Sequence, residues 1–344
     1  MLEKIRLNNF TAFDETEVQF SRGINIFIGE NSTGKTHVLK SLYAACEITE
    51  SNKSFAEKLN NVFYPTAKNI GRLVHRGQEN NASLEIFRFI KPGQKAISLR
   101  VSFSSSISKP EKATISGTTK QWQESPVRSV YIPVKDMLAN ATGFRSMVSL
   151  RHLHFEEVYN DIIDRAFLPA LKENGDKVRS QLLESLQQSM DGKVIIKGEE
   201  LFLKNKTGEL EFTLLAEGYR KIGLLWLLIQ NGTLSSGNVL FWDEPETNLN
   251  PKLMRLVVNV LIELQRIGVQ IFIATHDYVM LKEFELATNH SDKILYHAFY
   301  RDAHNHLAVN TVEQLDNLSP NAIDETFGTL IDRQIVKEMG GLGK

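Results

Sequence analysis

The stretch that most constrains this 344-residue chain lies near its start: Gly29-Glu30-Asn31-Ser32-Thr33-Gly34-Lys35-Thr36. It satisfies G-x-x-x-x-G-K-[ST], the pattern of a loop that wraps phosphate. Its flanks supply the context the pattern needs. Ile24 to Ile28 reads as a short buried strand, and His37 to Glu47 sets Val38, Leu39, Leu42, Ala45 and Cys46 at helical spacing. Gly29 and Gly34 permit a tight turn whose successive amides, through Asn31, Ser32 and Thr33, point inward at an anion. The start of the following helix adds positive potential at the same spot. Lys35 is then placed to reach the β- and γ-phosphates, and the Thr36 hydroxyl to take a position on Mg²⁺.

A second stretch completes the chemistry. Val239-Leu240-Phe241-Trp242 is an apolar run closed by Asp243 and Glu244. Ligands in open α/β sheets sit beyond the carboxyl ends of the strands, so Asp243 is expected beside Thr36, holding Mg²⁺ largely through water. Glu244, one residue on, is expected to face the γ-phosphate and to orient and polarise the attacking water. Val269 to Asp277 is another buried strand, ending in His276, a group able to contact the γ-phosphate and sense its loss.

Composition narrows the class. The length suits one large or two modest domains, and a hydrophobic fraction of 42% supports a substantial core. A formal net charge of −1 gives no global footprint for nucleic acid or membrane. The single cysteine, Cys46, lies in the helix after the loop and reads as a packed small residue. The charged start, Met1 to Arg6, is unlike a secretory signal, and the longest apolar run, Ile222 to Ile229, is too short to span a bilayer. A cytoplasmic protein without membrane partners is expected.

In chain order, alternation at Leu2 to Asn8 and Glu17 to Phe20 predicts two strands joined by a polar turn at Thr11 to Glu15. Phe10 and Phe13 are candidates for stacking on adenine, with burial in the core as the plainer account. Ala82 to Phe89 and Ala96 to Phe103 predict a hairpin turning at Lys91-Pro92-Gly93, and Ser104 to Pro126 an exposed polar loop. Val127 to Pro133 reads as a buried strand. Between His154 and Asn174, Phe155, Val158, Ile162, Ile163, Ala166 and Phe167 form a stripe opposed by Glu156, Glu157, Asp161, Asp164 and Arg165. With a second stretch around Leu182, Leu183 and Leu186, this predicts a helical insert. Three short β segments then lead into an apolar helix ending at Gln230. His304-Asn305-His306 reads as a polar turn between two strands rather than a nuclease motif.

Together the phosphate loop, Leu240 to Pro245, Asn248-Leu249 and Ala274 to Asp277 resemble the nucleotide-binding domain of the ABC ATPase superfamily, in its soluble branch of RecF-, SMC- and OLD-type heads. Asn31 and the Arg76-Gly77 pair ahead of Ala82 also fit that branch. The resemblance implies an α/β fold: an ABC-type nucleotide-binding domain with a mixed N-terminal β-subdomain, a parallel core sheet and a helical insert. A single head would span residues 1–344, with a β-rich part at 1–150, the insert at 151–192 and a C-terminal lobe at 193–344. It further implies ATP and Mg²⁺ as ligands, Glu244 as catalytic base, His276 as switch histidine, and Glu246 to Asn250 as a loop at a dimer interface. Two departures stand out. Where the signature Leu-Ser-Gly-Gly-Gln is expected, the chain has Leu215-Ala216-Glu217-Gly218-Tyr219-Arg220, preserving only Gly218. No glutamine loop is evident: Lys135 and Asp136 stand in its place, with Gln78 a poorer candidate. The stretch after His276 has no Asp-x-Asp pair, so the nuclease often attached to OLD proteins is not expected.

These features point to an ATP-hydrolysing switch that dimerises head to tail, or forms a larger even-numbered assembly. It would control a separate effector or a nucleic-acid process, as in phage defence or DNA repair. The ATPase subunit of a membrane transporter and a phosphate-loop kinase of a small molecule are the alternatives. The stripes at His154 to Gln188 and at Pro320 to Met339 (Ile323, Phe327, Leu330, Ile331, Ile335) either pack on the head or dock the effector.

Overall fold

A computed structural model describes residues 1–77, 81–91, 93–144, 147, 155–172 and 177–341. The first part of the chain forms β1 (Leu2–Phe10), β2 (Phe13–Gln19), β3 (Ile24–Gly29), α1 (Lys35–Glu47), α2 (Phe55–Phe63), β4 (Asn81–Arg88), β5 (Ile97–Ser104), β6 (Thr114–Gly117) and α3 (Thr119–Gln123). The middle adds β7 (Ser129–Ile132), α4 (Glu157–Ala166), α5 (Lys177–Met190), β8 (Lys193–Lys197), β9 (Glu200–Asn205), β10 (Gly208–Glu211) and α6 (Glu217–Gln230). The last part holds β11 (Val239–Asp243), α7 (Pro251–Arg266), β12 (Gln270–Ala274), α8 (Tyr278–Ala287), β13 (Ile294–Arg301), β14 (Leu307–Val312) and α9 (Ala322–Gly341).

The central sheet runs β14-β13-β3-β12-β11-β7, parallel throughout except for the β13–β14 hairpin. Its inner strands are apolar on both faces because both faces are covered. Ile24, Ile26, Ile28, Leu240, Trp242, Ile271 and Ile273 join the core beneath α5, α6, α7 and α8. The alternate residues Phe27, Val239, Phe241, Phe272 and Ala274 face the other way, into a core shared with α1, α2 and the antiparallel sheet β2-β1-β4-β5-β6. Gln270 fastens the two sheets, accepting the Leu2 amide at 2.7 Å and donating to the Leu2 carbonyl at 2.8 Å. The remaining strands form a small sheet, β10-β9-β8.

Several sequence expectations are revised. The turn between the first two strands is only Thr11-Ala12, because β2 already begins at Phe13. Phe10 and Phe13 are fully buried, Phe10 edge-on to Phe63 and Phe103, Phe13 edge-on to Phe299, so neither ring is free to stack on a base. The polar stretch after Ser104 is not simply a loop. It adds β6 to the sheet and delivers Trp122 into the core, its Nε1 donating to the Ala45 carbonyl at 2.8 Å beneath the Arg88 guanidinium.

The acidic face of α4 is not left to water. Lys40 meets Glu156, Lys53 and Lys58 meet Glu157, and Lys58 and the Tyr43 hydroxyl meet Asp161. Arg165 bridges Glu47 and Glu50. These bonds tie α4 to α1 and α2, while Val158, Ile162, Ile163 and Ala166 supply its buried apolar side. Leu182, Leu186 and Met190 of α5 join the core with α6 and α7, so the stripes of both helices pack on the body. Residues 151–154 and 173–176 of the expected insert lie outside the described residues, as does Pro92 of the expected hairpin turn.

The C-terminal stripe behaves differently. Ile323 is buried and Phe327 stacks on Tyr278 at 4.1 Å, but Leu330, Ile331, Ile335, Val336 and Met339 of α9 are exposed. Packing on the head therefore accounts for the root of α9 only. His304 to His306 form the turn between β13 and β14, with Asp302 accepting the amides of His304 and His306. Among the described residues, no helix is long and apolar enough to cross a membrane.

Candidate nucleotide site

The phosphate loop leaves the carboxyl end of β3, at the middle of the central sheet. Gly29 has φ +140°, and a Cβ there would lie 2.1 Å from the Phe299 carbonyl oxygen, so β13 leaves no room for a side chain. Gly34 has φ +87° and the Phe13 ring 2.4 Å from where a Cβ would stand. Both positions demand glycine for sterics as well as for the turn. Between them, Glu30, Asn31 and Ser32 are exposed while Thr33 turns inward, its hydroxyl donating to the Glu30 carbonyl at 2.8 Å.

Lys35 closes the loop on itself. Its buried amine donates to the carbonyls of Gly29 and Glu30, both at 2.8 Å. Burial pulls its pKa down to about 8 against the opposing pull of Asp243, Glu244, Glu246 and Glu30. Next to it, the Thr36 hydroxyl donates to Asp243 Oδ1 at 3.1 Å, joining the first residues of α1 to the last residue of β11. The other oxygen, Asp243 Oδ2, accepts the Tyr131 hydroxyl at 3.0 Å. Burial holds the Asp243 carboxyl above the usual carboxylate range in spite of both donors.

Glu244 follows at φ +48°, with its amide bonded to the Ala274 carbonyl at 2.9 Å, so the backbone turns sharply off the strand end. Its Oε2 accepts the Thr247 hydroxyl at 3.2 Å, and its Oε1 stands 3.8 Å from His276 Nε2. Both side chains are about one-third exposed, open enough to meet a ligand. Burial, then Lys35, lowers the His276 pKa, so the ring is neutral at pH 7. Sequence reasoning treated Glu246 only as part of an interface loop. The structure makes its carboxylate the acceptor of the His276 amide at 2.8 Å, which fixes the start of the segment after β12.

The structure thus brings together Gly29, Lys35, Thr36, Asp243, Glu244 and His276. Gly218 is placed elsewhere. A Cβ on it would meet the Asn248 carbonyl oxygen at 3.3 Å and then Leu249, while its neighbour Glu217 accepts the Asn248 side-chain amide at 2.8 Å. Lys221 of the same helix donates to the carbonyls of Pro245 and Thr247. Asp136 is paired with Arg220 of α6 and accepts the Leu138 amide, so the residue at the glutamine-loop position serves as a tether to α6. Gln78 lies outside the described residues.

The donor set fits Mg²⁺. A hydroxyl and a buried carboxylate are hard oxygen donors, and among the described residues the groups bonded to Asp243 are the neutral hydroxyls of Thr36 and Tyr131. Among the described residues no group of three or more His, Cys, Asp or Glu side chains is placed to hold a metal ion. A cleft of about 870 Å³ is lined by Arg22, Lys293 and Tyr296 at the opposite, amino ends of β3 and β13. It belongs to a different part of the molecule. A recess of about 530 Å³ lined by Tyr64, Arg72, His75, Arg76 and Gly77 adjoins the β1–β2 turn, where His75 bonds the Thr11 carbonyl.

Comparison with known proteins agrees with this geometry. Residues 76–282 match the family model described as "AAA domain, putative AbiEii toxin, Type IV TA system", and residues 1–125 match the model described as "AAA ATPase domain". The DNA replication and repair protein RecF of Streptococcus suis is 33% identical over 75 residues, 22% of this chain and 20% of RecF. RecF of Cytophaga hutchinsonii is 51% identical over 45 residues, 13% of this chain and 12% of its own. The matched stretch therefore spans about a fifth or less of the RecF chains. Among solved structures, an SMC head bound to the C-winged helix domain of ScpA aligns with TM-score 0.60 and 12% identity over 92% of this chain and 98% of its own. The SMC head domain of Thermotoga maritima aligns with TM-score 0.51 and 14% identity over 91% and 99%. At such identities the likeness concerns the fold.

Proposed function

This chain belongs to the AAA-domain ATPase family, and from that premise we propose that it is a RecF- and SMC-like member of the ABC superfamily, an ATP-driven switch acting as a head-to-tail dimer. The observation that carries the reading is the joining of Thr36 to Asp243 at 3.1 Å with Glu244 and His276 at the same strand ends. The loop amides from Gly29 to Thr36 and the Lys35 ammonium bind the phosphates of ATP, and Lys35 exchanges its two carbonyl partners for phosphate oxygens. Thr36 and Asp243 would hold Mg²⁺, which would supply neutralisation of the charge developing on the phosphates. Glu244 accepts a proton from the water that attacks the γ-phosphorus, and the bond to the β–γ bridging oxygen breaks. His276, neutral and 3.8 Å from Glu244, donates to the γ-phosphate and loses its partner on hydrolysis. The recess beside Thr11, His75 and Arg76 receives the nucleoside end.

The proximity of Gly218 to Asn248 supports the dimer reading. They lie together, and each copy's pair is assigned to cover the nucleotide held by the other. The output is control of a separate effector or of a nucleic-acid process. The RecF proteins, named for DNA replication and repair, and the SMC head bound to ScpA support that direction. With a net charge near zero, nucleic acid is assigned the part of a trigger touched by a local patch. Phosphate release and light scattering test the reading. Glu244→Gln is expected to bind ATP normally, to hydrolyse it at least about a hundredfold more slowly, and to accumulate an ATP-loaded dimer. Turnover within a few-fold of the parent would remove Glu244 from its role, and an ATP-loaded monomer at micromolar concentration would remove the dimer.

A further inference from the structure

We propose that Tyr131 is a positioning residue for the metal-holding carboxylate: its hydroxyl engages one oxygen of Asp243 and leaves the oxygen shared with Thr36 to serve the ion. The proposal rests on the nucleotide-site reading above. Tyr131 lies on β7, the strand parallel to β11, in register with Phe241, and its side chain reaches along the sheet to Asp243. The residue is almost wholly buried, and its ring is walled by Tyr43, whose centroid is 5.5 Å away. Its hydroxyl donates to Asp243 Oδ2 at 3.0 Å, while Thr36 donates to Oδ1 at 3.1 Å. A carboxylate on a single χ2 axis rotates broadly unless both oxygens are held. Here one donor comes from a strand and the other from the phosphate loop itself, so the carboxylate plane is set with respect to that loop.

The consequence is specific to metal binding. A tyrosine hydroxyl is protonated at neutral pH, so Tyr131 serves as a neutral donor and is not itself an anionic ligand. Supporting groups of this kind typically change metal affinity by about ten- to a hundredfold when lost. Tyr131→Phe removes only the hydroxyl and keeps the ring that fills the core.

The test uses the full chain, the non-hydrolysable analogue AMP-PNP, and Mn²⁺ followed by electron paramagnetic resonance, so no turnover is needed. Tyr131→Phe is expected to weaken Mn²⁺ binding to the nucleotide complex about tenfold and to leave metal-free AMP-PNP affinity within about twofold. Adding Tyr131→Phe to Asp243→Asn is expected to cause no further loss, because the hydroxyl acts through that carboxylate. Unchanged Mn²⁺ affinity in Tyr131→Phe, or an equal further loss on the Asp243→Asn background, would overturn the positioning role. Parent chain that binds AMP-PNP without taking up Mn²⁺ would instead overturn the site reading, and the role with it.

Discussion

Replacing Lys58 by methionine measures how firmly α4 is bound to the phosphate-loop side of the molecule. The Lys58 amine is 2.7 Å from both Glu157 and Asp161, and its side chain is 3% exposed. Methionine retains most of the volume and removes the charge. Stranding a fully buried ion costs about 3–5 kcal/mol. Here Glu157 keeps Lys53, Asp161 keeps the Tyr43 hydroxyl, and both acids still touch water, so we expect about 2 kcal/mol. Urea unfolding at pH 7 would read this as a lower midpoint at unchanged slope. The acid limb gives a second reading. Burial drives Glu157 upward, but Lys58 and Lys53 outweigh it and hold the carboxyl below its ordinary 4.5. A carboxyl depressed by folding contributes stability above its unfolded pKa and loses it as the pH falls through the folded one. Wild-type stability should therefore drop as the pH falls below about 4.5, and Lys58→Met should flatten that drop. A loss under about 0.5 kcal/mol with an unchanged acid limb would refute the lattice as a stabilising element.

Three further outcomes are expected. In the nucleotide-free chain Lys35 has a pKa of about 8, and its charge is present below that value and lost above it; ATP affinity measured calorimetrically should be about tenfold weaker at pH 9 than at pH 7, and a flat profile would contradict Lys35 as the phosphate cation. His276→Ala should slow phosphate release at least about tenfold with ATP affinity nearly unchanged, because the Glu246 bond uses the backbone amide and survives; equal losses in both would make the residue structural. Trp122→Ala should cost about 3–5 kcal/mol in denaturant unfolding, through the emptied core and the lost bond to the Ala45 carbonyl, and a cost below about 1 kcal/mol would show that the site collapses freely.

What was legible in the sequence was what local spacing encodes. The glycine loop, Asp243, Glu244 and His276 each sit at the end of a short apolar strand, and parallel strands place their ends together. The missing parts depend on partners distant in the chain. Tyr131 sits in an apolar strand and reads as core, since nothing nearby reveals a carboxylate 112 positions later. Asp136 stands at the glutamine-loop position with no role readable from its neighbours, and its partner Arg220 lies 84 positions later. The acids of α4 resemble a solvated face until Lys40, Lys53 and Lys58 are brought from α1, α2 and the turn between them. Trp122 was overlooked because polar neighbours dominate its stretch, although a buried tryptophan outweighs them in area.

The exposure of α9 has a consequence for how that helix exists in time. Beyond Phe327 its apolar side chains Leu330, Ile331, Ile335, Val336 and Met339 are exposed, so among the described residues little tertiary packing supports the turns from Leu330 onward. A helix of this length held only at one end is marginal in water, since propagation barely offsets the conformational entropy of each added residue. Its distal amides should exchange with deuterated solvent within the first seconds, while those of α8, capped by Asp277 and buried at Met280, Leu281 and Phe284, should persist far longer. The same fraying opens the Arg333 and Lys337 peptide bonds to trypsin. Anything that covers the stripe would lengthen both clocks at once, and because the root of the helix leans on Tyr278, two residues past His276, the clocks report from beside the nucleotide.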